Sequence, residues 1–445
     1  MNDTIAAIST AAGVGAISII RISGDDTLEI VNKIFDKDIY KFKSNTINYG
    51  HIIDNNNIID EVLVSVFLAP KTYTKEDVIE INTHGGISVT NKILELLLNN
   101  GARLAEPGEF TKRAFLNGRI DLVEAESVMD LINAKTESAR KMAISGVDGR
   151  LSNKINKLRD KALDLISNIE VNIDYPEYED IEVMTIKDIK KFSNDLNQEI
   201  DELLKNAESG KLIKNGINTV ILGRPNVGKS SLLNRLLDED KAIVTDIPGT
   251  TRDVVEGSMR INGVLINFLD TAGIRKTDNT VEKIGVEKSL NLIENADLIL
   301  LVLNNNEELT EEDRELLDKT EEKKRIIVIN KCDLDNKLKL EEDVVRVSAE
   351  QNNIDELLDK INDLFNLDEL NEGDLTYLSN AREISLLKEA KKSSDSLIDS
   401  LNNDIPIDML EIDIKRIIDL LGEITGESSD NELIDRLFKN FCLGK

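Results

Sequence analysis

Residues 223–230 read Gly-Arg-Pro-Asn-Val-Gly-Lys-Ser and fit G-x-x-x-x-G-K-[ST], a pattern that cradles phosphate. The apolar, β-branched run 217–222 before it reads as a buried strand, and a helix is expected to start near Lys229. That order suits an anion. Backbone N–H groups of the glycine-rich turn point inward, and the helix adds its positive N-terminal end. Lys229 would reach the β- and γ-phosphates, and the Ser230 hydroxyl would ligate Mg2+. Alone, the pattern also fits a glycine turn before an ordinary helix.

Three further stations narrow the reading. Asp270-Thr271-Ala272-Gly273 follows the apolar run 264–269, as DxxG should. Asp270 falls where an indirect Mg2+ contact is needed, and the Gly273 N–H can sense the γ-phosphate. Asn330-Lys331-Cys332-Asp333 follows the run 325–329 and matches NKxD. The Asp333 carboxylate can accept from the N1 and N2 donors of guanine. Adenine offers no such pair, and a site built for such bonds discriminates by roughly 10⁴–10⁵. Ser348-Ala349, after 344–347, supplies the last base-contacting loop. Four motifs in order, each after its own strand, predict a GTP-hydrolysing domain. Its nucleotide contacts would come from Asn226, Val227, Gly228, Lys229, Ser230 and Ser231, then from Asp270, Thr271, Ala272 and Gly273, then from Asn330, Lys331, Asp333, Ser348 and Ala349.

Between the first two motifs lies a switch of Thr245, Asp246, Ile247, Pro248, Gly249, Thr250, Thr251, Arg252 and Asp253. Thr251 is the better candidate for Mg2+, with Thr250 adjacent. Many GTPases place a Gln after the DxxG glycine to orient the attacking water. Here that position is Ile274, which cannot. The nearest carboxylate of the second switch is Glu282; its plain alternative is a helix-surface charge. An arginine finger is worth ~10³–10⁵ in rate. Arg252 or Arg275 could supply one. A monovalent cation beside Asn226, whose side-chain carbonyl could ligate it, could replace it.

The elements that must carry this chemistry follow from composition. The chain has 445 residues, room for about three domains at ~150 residues each. Hydrophobic residues make up 40%, without Trp, so the cores must be mainly aliphatic. The longest apolar runs, such as 296–303, are too short to span a bilayer. No basic flank near Asp3 suggests a secretory signal, so the cytoplasm is expected. Two cysteines in no CxxC pattern offer neither a disulfide framework nor a zinc site. A net charge of −29 argues against broad nucleic-acid binding, which rests on phosphate neutralisation.

Residues 1–118 read as a small α+β domain, with strands at 15–22, 47–53, 61–68 and 77–82 and one clear helix at 88–99. Spacing alone makes Arg21 and Glu80 solvent-facing strand residues, and His84, in the turn 83–86, structural. Helical spacing runs through 124–155, 155–171 and 186–208, with an acidic loop at 174–182, and resumes at 375–401, 407–421 and 433–438. Residues 119–210 and 371–445 then form one helical domain, into which a Ras-like GTPase domain, 211–370, is inserted. The expected fold class is α/β plus α, the GTPase part being a mixed sheet with helices on both faces.

End to end, the chain resembles the tRNA-modifying GTPases called MnmE or TrmE. The likeness lies in GAISIIRISG (15–24), YTKEDVIEINTHGG (73–86), EPGEFTKRAFLNGRIDL (106–122), GRPNVGKSSLLN, DIPGTTRD, DTAGIR and the tail FCLGK (441–445). It implies an N-terminal domain that dimerises and binds 5-formyl-tetrahydrofolate or a related one-carbon folate, a helical domain, and an inserted K+-dependent GTPase activated when two GTPase domains meet. Asn226, Thr245, Ile247 and Thr250 would then bind K+, Ser230 and Thr251 would bind Mg2+, and Glu282 would orient the water. Arg21, Glu80, Arg119 and Lys445 would face the folate. Some relatives carry Lys at 119; Arg keeps the charge with another geometry. The tail is more often CIGK, so Leu443 is a mild departure. The resemblance further implies a homodimer joined with the flavoprotein MnmG in a heterotetramer. That assembly acts on tRNA, adding a carboxymethylaminomethyl-type group to carbon 5 of the wobble uridine, and does not engage a membrane. Cys442 becomes a candidate reactive group; its spacing alone reads as a free thiol near a frayed end. Two other classes remain: a ribosome-assembly switch like the relatives of Era, which would add a basic RNA-binding module, and a dynamin- or septin-like scaffold.

Overall fold

Alternating burial builds the first sheet. In the computed structural model, β1 (Ile5–Ile8), β2 (Ile17–Ser23), β3 (Thr46–Asp54), β4 (Asn57–Phe67), β5 (Val78–His84) and β6 (Arg103–Leu104) lie in the order β3-β4-β5-β2-β1-β6. All neighbours are antiparallel except β1 and β6. Ile20, Ile22, Val62, Val64, Val66, Ile79 and Ile81 point to one face. There they meet Ile30, Val31 and Ile34 of the helix Thr27–Ile34, and Ile93, Leu96 and Leu97 of the helix Ile87–Asn99. The opposite face carries Arg21 and Glu80, with exposed Ile47, Tyr49 and Leu63. The structure describes residues 3–174, 186–237, 242–243, 255–269, 293–294, 296–351, 353–371, 374–403, 405–427 and 431–445.

The chain divides into two units. The first comprises Met1–Met129, Val147–Ser193 and Lys392–Lys445. Besides the sheet, it holds a long-range helical pairing. Helix Arg150–Asp174 packs on helix Ile407–Thr425, with ion pairs Arg159–Glu427 at 2.8 Å and Lys415–Glu170 at 3.8 Å. Near the end of the sequence, Ile434 and Phe438 of helix Asn431–Phe438 pack on Leu122 and Ala125, flanked by Phe115 and Phe441. The helix Glu109–Leu116 is pinned by Arg113, which is fully buried. Its guanidinium donates to Asp3 at 2.8 Å, to Glu76 at 3.2 Å and to Glu109 at 3.1 Å. Burial opposes charge on Glu109, yet Arg103 and Arg113 hold its carboxyl below the usual range.

The second unit comprises Asp130–Gly146 and Asn194–Lys391. Its sheet contains β7 (Ile217–Leu222), β8 (Ala242–Ile243), β9 (Val255–Ile261), β10 (Val264–Leu269), β11 (Leu298–Asn304), β12 (Arg325–Asn330) and β13 (Val344–Arg346). The order is β13-β12-β11-β7-β10-β9-β8. Strands β13 to β10 are parallel, while β9 is antiparallel to both its neighbours, β10 and β8. Strands β10 and β11 are buried throughout, because successive side chains enter cores on opposite faces. Leu298, Leu300 and Val302 meet Leu357 and Ile361 of helix Asp355–Phe365. Ile299, Leu301 and Leu303 meet Leu317 of helix Glu311–Lys319. This is the expected mixed sheet covered on both faces. Helices add Ser145 against Thr376 at 2.7 Å and Lys214 against Asp130 at 2.7 Å. Among the described residues, no helix is long and apolar enough to cross a membrane.

The strand expectations at 15–22, 47–53, 61–68 and 77–82 each meet an observed strand, shifted by a few residues at the ends. Thr83 and His84 belong to β5 and the turn follows them. The helices Thr27–Ile34 and Glu109–Leu116 and the strands β1 and β6 have no counterpart among those expectations. Each is only two to eight residues long, too short for periodicity to stand out.

Candidate functional site

The C-terminal ends of β7, β12 and β13 converge on one loop cluster. Helix Lys229–Leu237 begins at the lysine of the phosphate-binding pattern, as its spacing predicts. Asn226 adopts φ +66° and Gly228 φ +99°. The NKxD segment grips this loop from the side. Asn330 Nδ2 donates to the Val227 carbonyl at 3.1 Å, and Lys331 Nζ to the Asn226 carbonyl at 2.8 Å. Asn330 Oδ1 accepts from the Ala349 N–H at 3.2 Å. Ser348 Oγ donates to Asp333 Oδ1 at 2.7 Å, which fixes the carboxylate expected to read guanine. Asn226, Val227, Gly228, Asn330, Lys331, Asp333, Ser348 and Ala349 thus stand in one place.

Lys229 is half-buried, and burial pushes its ammonium below the ordinary lysine value, with a small opposing pull from Glu312. Its Nζ donates to the carbonyls of Gly223 and Arg224 at 2.5 and 2.7 Å. An ammonium held by neutral carbonyls in a partly desolvated loop is suited to an anionic partner. Ser230 and Ser231 lie in the first turn of the helix, and both are exposed. Arg224 carries a tether that spacing does not predict. Its guanidinium donates to Asp313 at 2.9 Å and to Glu307 at 2.7 Å. Asp313 is buried and closes the capping box of helix Glu311–Lys319. Partners some 80–90 residues away leave no local signal. Cys332 donates to the Ile329 carbonyl, and burial pushes its thiol up. Thr245, Asp246, Ile247, Pro248, Gly249, Thr250, Thr251, Arg252, Asp253, Asp270, Thr271, Ala272, Gly273, Ile274, Arg275 and Glu282 lie outside the described residues.

In the first unit, Arg21 and Glu80 are direct cross-strand partners on β2 and β5. They are not solvent-facing: their side chains are 16% and 22% exposed. Arg21 Nε and Nη2 both donate to Glu80 Oε1, at 2.9 and 2.7 Å. Arg21 Nη1 donates to the Gly444 carbonyl at 3.3 Å, and Ser9 Oγ donates to the same carbonyl at 3.1 Å. The closing residues therefore sit on the sheet. Gly108 N–H donates to the Cys442 carbonyl, and Phe110 N–H to the Lys445 carbonyl, each at 3.2 Å.

Arg21, Glu80 and Arg119 line a cavity of about 500 Å³ with Tyr73, Phe67, Val78, Lys71 and Lys75 among their neighbours. Arg119 stacks over the Tyr73 ring at 4.7 Å, and Arg21 lies 5.7 Å from the same ring. Lys445 is not among the lining residues; its neighbour Gly444 reaches the site through Arg21. Cys442 is exposed. His84 pairs with buried Asp60 at 2.6 Å, and that hydrogen bond raises its pKa. Tyr73, Lys71 and Lys75 are lining residues that spacing does not mark, although Tyr73 opens the motif at 73–86.

The grip on the phosphate loop depends on Gly228. A Cβ built there would stand 2.2 Å from Asn330 Nδ2, and φ +99° disfavours any side chain. Gly228→Ala should weaken guanine-nucleotide binding by about 10- to 100-fold. Titration with a fluorescent guanine nucleotide would show this, and an unchanged affinity would refute the clamp.

Comparison with known proteins identifies the family. A family model described as the GTP-binding protein TrmE N-terminus matches residues 4–119, and one described as the MnmE helical domain matches 122–442. The tRNA modification GTPase MnmE of Streptococcus thermophilus (strain CNRZ 1066) is 55% identical, over 100% of this chain and 98% of that protein. The protein of the same description from Streptococcus mutans serotype c (strain ATCC 700610 / UA159) is 54% identical, over 100% and 99%. Among solved structures, the G domain of the T. maritima FeoB iron transporter covers 33% of this chain and 98% of its own, at 29% identity and TM-score 0.26. With two family models spanning nearly the whole length and relatives alike from end to end, the chain belongs to the MnmE, or TrmE, family of tRNA modification GTPases.

Proposed function

We propose that this protein hydrolyses GTP and couples that hydrolysis to modification of the wobble uridine of certain tRNAs. The observation that carries the reading is the guanine cluster: Asp333, fixed by Ser348, beside a phosphate loop gripped by Asn330 and Lys331. Full-length likeness to proteins named tRNA modification GTPase supplies the second half.

In this reading the chain folds as three domains: 1–118, then 119–210 with 371–445, and an inserted GTPase domain, 211–370. Lys229 balances phosphate charge, Asp333 selects guanine, and Ser230 with Thr251 holds Mg2+, which neutralises charge on the phosphates. Asn226, Thr245, Ile247 and Thr250 hold K+, which supplies the positive charge an arginine finger would otherwise bring. Glu282 orients the attacking water where Ile274 cannot. Two copies of the chain associate, and their GTPase domains meet during hydrolysis. The flavoprotein MnmG completes the assembly, which works on tRNA in the cytoplasm.

The N-terminal cavity holds 5-formyl-tetrahydrofolate or a related one-carbon folate, a carrier of a one-carbon unit. The donor set fits such a ligand. Tyr73, Phe67 and Val78 offer apolar walls for a ring system. Glu80 spends only Oε1 on Arg21, so its Oε2 can accept from a ring N–H. Arg119 lines the cavity and is exposed. Lys445 would complete the site from the tail. Cys442, exposed in that tail, is the candidate reactive group.

GTP turnover should rise several-fold when K+ replaces Na+, and Asn226→Ala should abolish that rise while keeping nucleotide affinity within a few-fold. Equal turnover in both ions would remove K+ from the mechanism. Nucleoside analysis of tRNA from a deletion strain should show loss of the carboxymethylaminomethyl-type wobble uridine. Its persistence would instead favour a GTP-dependent switch without a modification role.

A further inference from the structure

The charges lining the N-terminal cavity run against those of the chain. Overall, 84 acidic residues outnumber 55 Lys and Arg. Around this cavity the balance reverses: Arg21, Lys71, Lys75 and Arg119 face a single carboxylate, Glu80. That carboxylate is already matched by Arg21 at 2.7 Å. Three cations remain, and all three are exposed, outside the half-buried ion pair. Their contacts are to neutral groups. Lys75 Nζ donates to the Gly118 carbonyl at 2.9 Å, and the Arg119 guanidinium lies over the Tyr73 ring. Glu124 senses Arg119 electrostatically, yet no ion pair among the described residues engages Lys71, Lys75 or Arg119.

We propose that this cavity selects folates carrying an extended chain of glutamates, with Lys71, Lys75 and Arg119 binding the chain's carboxylates at the rim. The proposal rests on the folate reading above and adds to it the class of ligand. A volume of about 500 Å³ suits one ring system and its linker. Additional glutamates must then lie along the exposed rim, where the three cations stand. A single terminal glutamate carries two carboxylates; three cations without acidic partners exceed that number and match a longer polyanionic tail. Exposed pairs contribute little singly, but several on one chain add. Their combined effect must also weaken with ionic strength.

The test is calorimetric titration of the full-length protein with 5-formyl-tetrahydrofolate bearing one or three glutamates, at low and at high salt. The longer form, with two more carboxylates, should bind about 3- to 30-fold tighter at low salt. The ratio should approach one at high salt. In Lys71→Gln it should fall, and in Lys71→Glu it should fall further; an unchanged thermal-unfolding profile of the full-length protein confirms that each variant is folded. Equal affinity of both forms for the unaltered protein would overturn the proposal and leave the folate reading standing. Failure of both forms to bind would remove the folate reading itself. A chain-length preference that Lys71→Glu leaves intact would also overturn the assignment of these cations.

Discussion

The Arg21 guanidinium is the hinge of the N-terminal site. It donates to Glu80 across the strand pair and to the backbone carbonyl of Gly444, 423 residues away. Each bond alone is modest; the combination is hard to replace. Glu80 without Arg21 would be a half-buried carboxylate lacking its counter-charge, and breaking such a pair costs more than the pair contributes. The Gly444 carbonyl is presented by backbone at φ +84°, and a Cβ there would stand 2.4 Å from the Ile8 carbonyl. Only glycine can lie that close to the end of β1. Position 444 therefore governs where the closing residues sit, and through Arg21 it helps to shape one wall of the cavity.

The second unit solves a different problem, the desolvation of a lysine. Lys229 is held by neutral carbonyls in a loop whose left-handed turns at Asn226 and Gly228 are braced by Asn330 and Lys331. The same two residues belong to the segment expected to read the base. The loop is thus braced by side chains of the segment expected to read the base. Arg224 adds a tether from the loop to the buried cap of a neighbouring helix. A preorganised loop loses less entropy on binding than a loose one.

Strands β7, β10, β12 and β13 were legible in the sequence because each is a largely apolar run ending at a recognisable motif, whereas β8, β9 and β11 end at none. Strand β10, for example, is buried at every position. A short run that is apolar on both sides of the pleat is what a strand covered by helices on both faces requires. The N-terminal sheet was harder to read. Its register, which sets Arg21 opposite Glu80, is not encoded in either strand alone. Spacing therefore left both as surface charges, and only the family likeness marked them. Buried Arg113 was invisible for a related reason: its partners Asp3, Glu76 and Glu109 are scattered along the chain. The docking of residues 441–445 has no local signal either, since its partners are Ile8, Ser9, Arg21, Gly108 and Phe110.

The central claim is that Gly444 docks the closing residues so that Arg21 and Glu80 form a folate site, independently of the guanine cluster. Titration of Gly444→Val with 5-formyl-tetrahydrofolate and, separately, with GTP tests it most directly. The account predicts folate affinity lower by about 30-fold or more, the scale of a strained, displaced backbone, with GTP affinity unchanged within two-fold. Folate binding as tight as in the unaltered protein would contradict it.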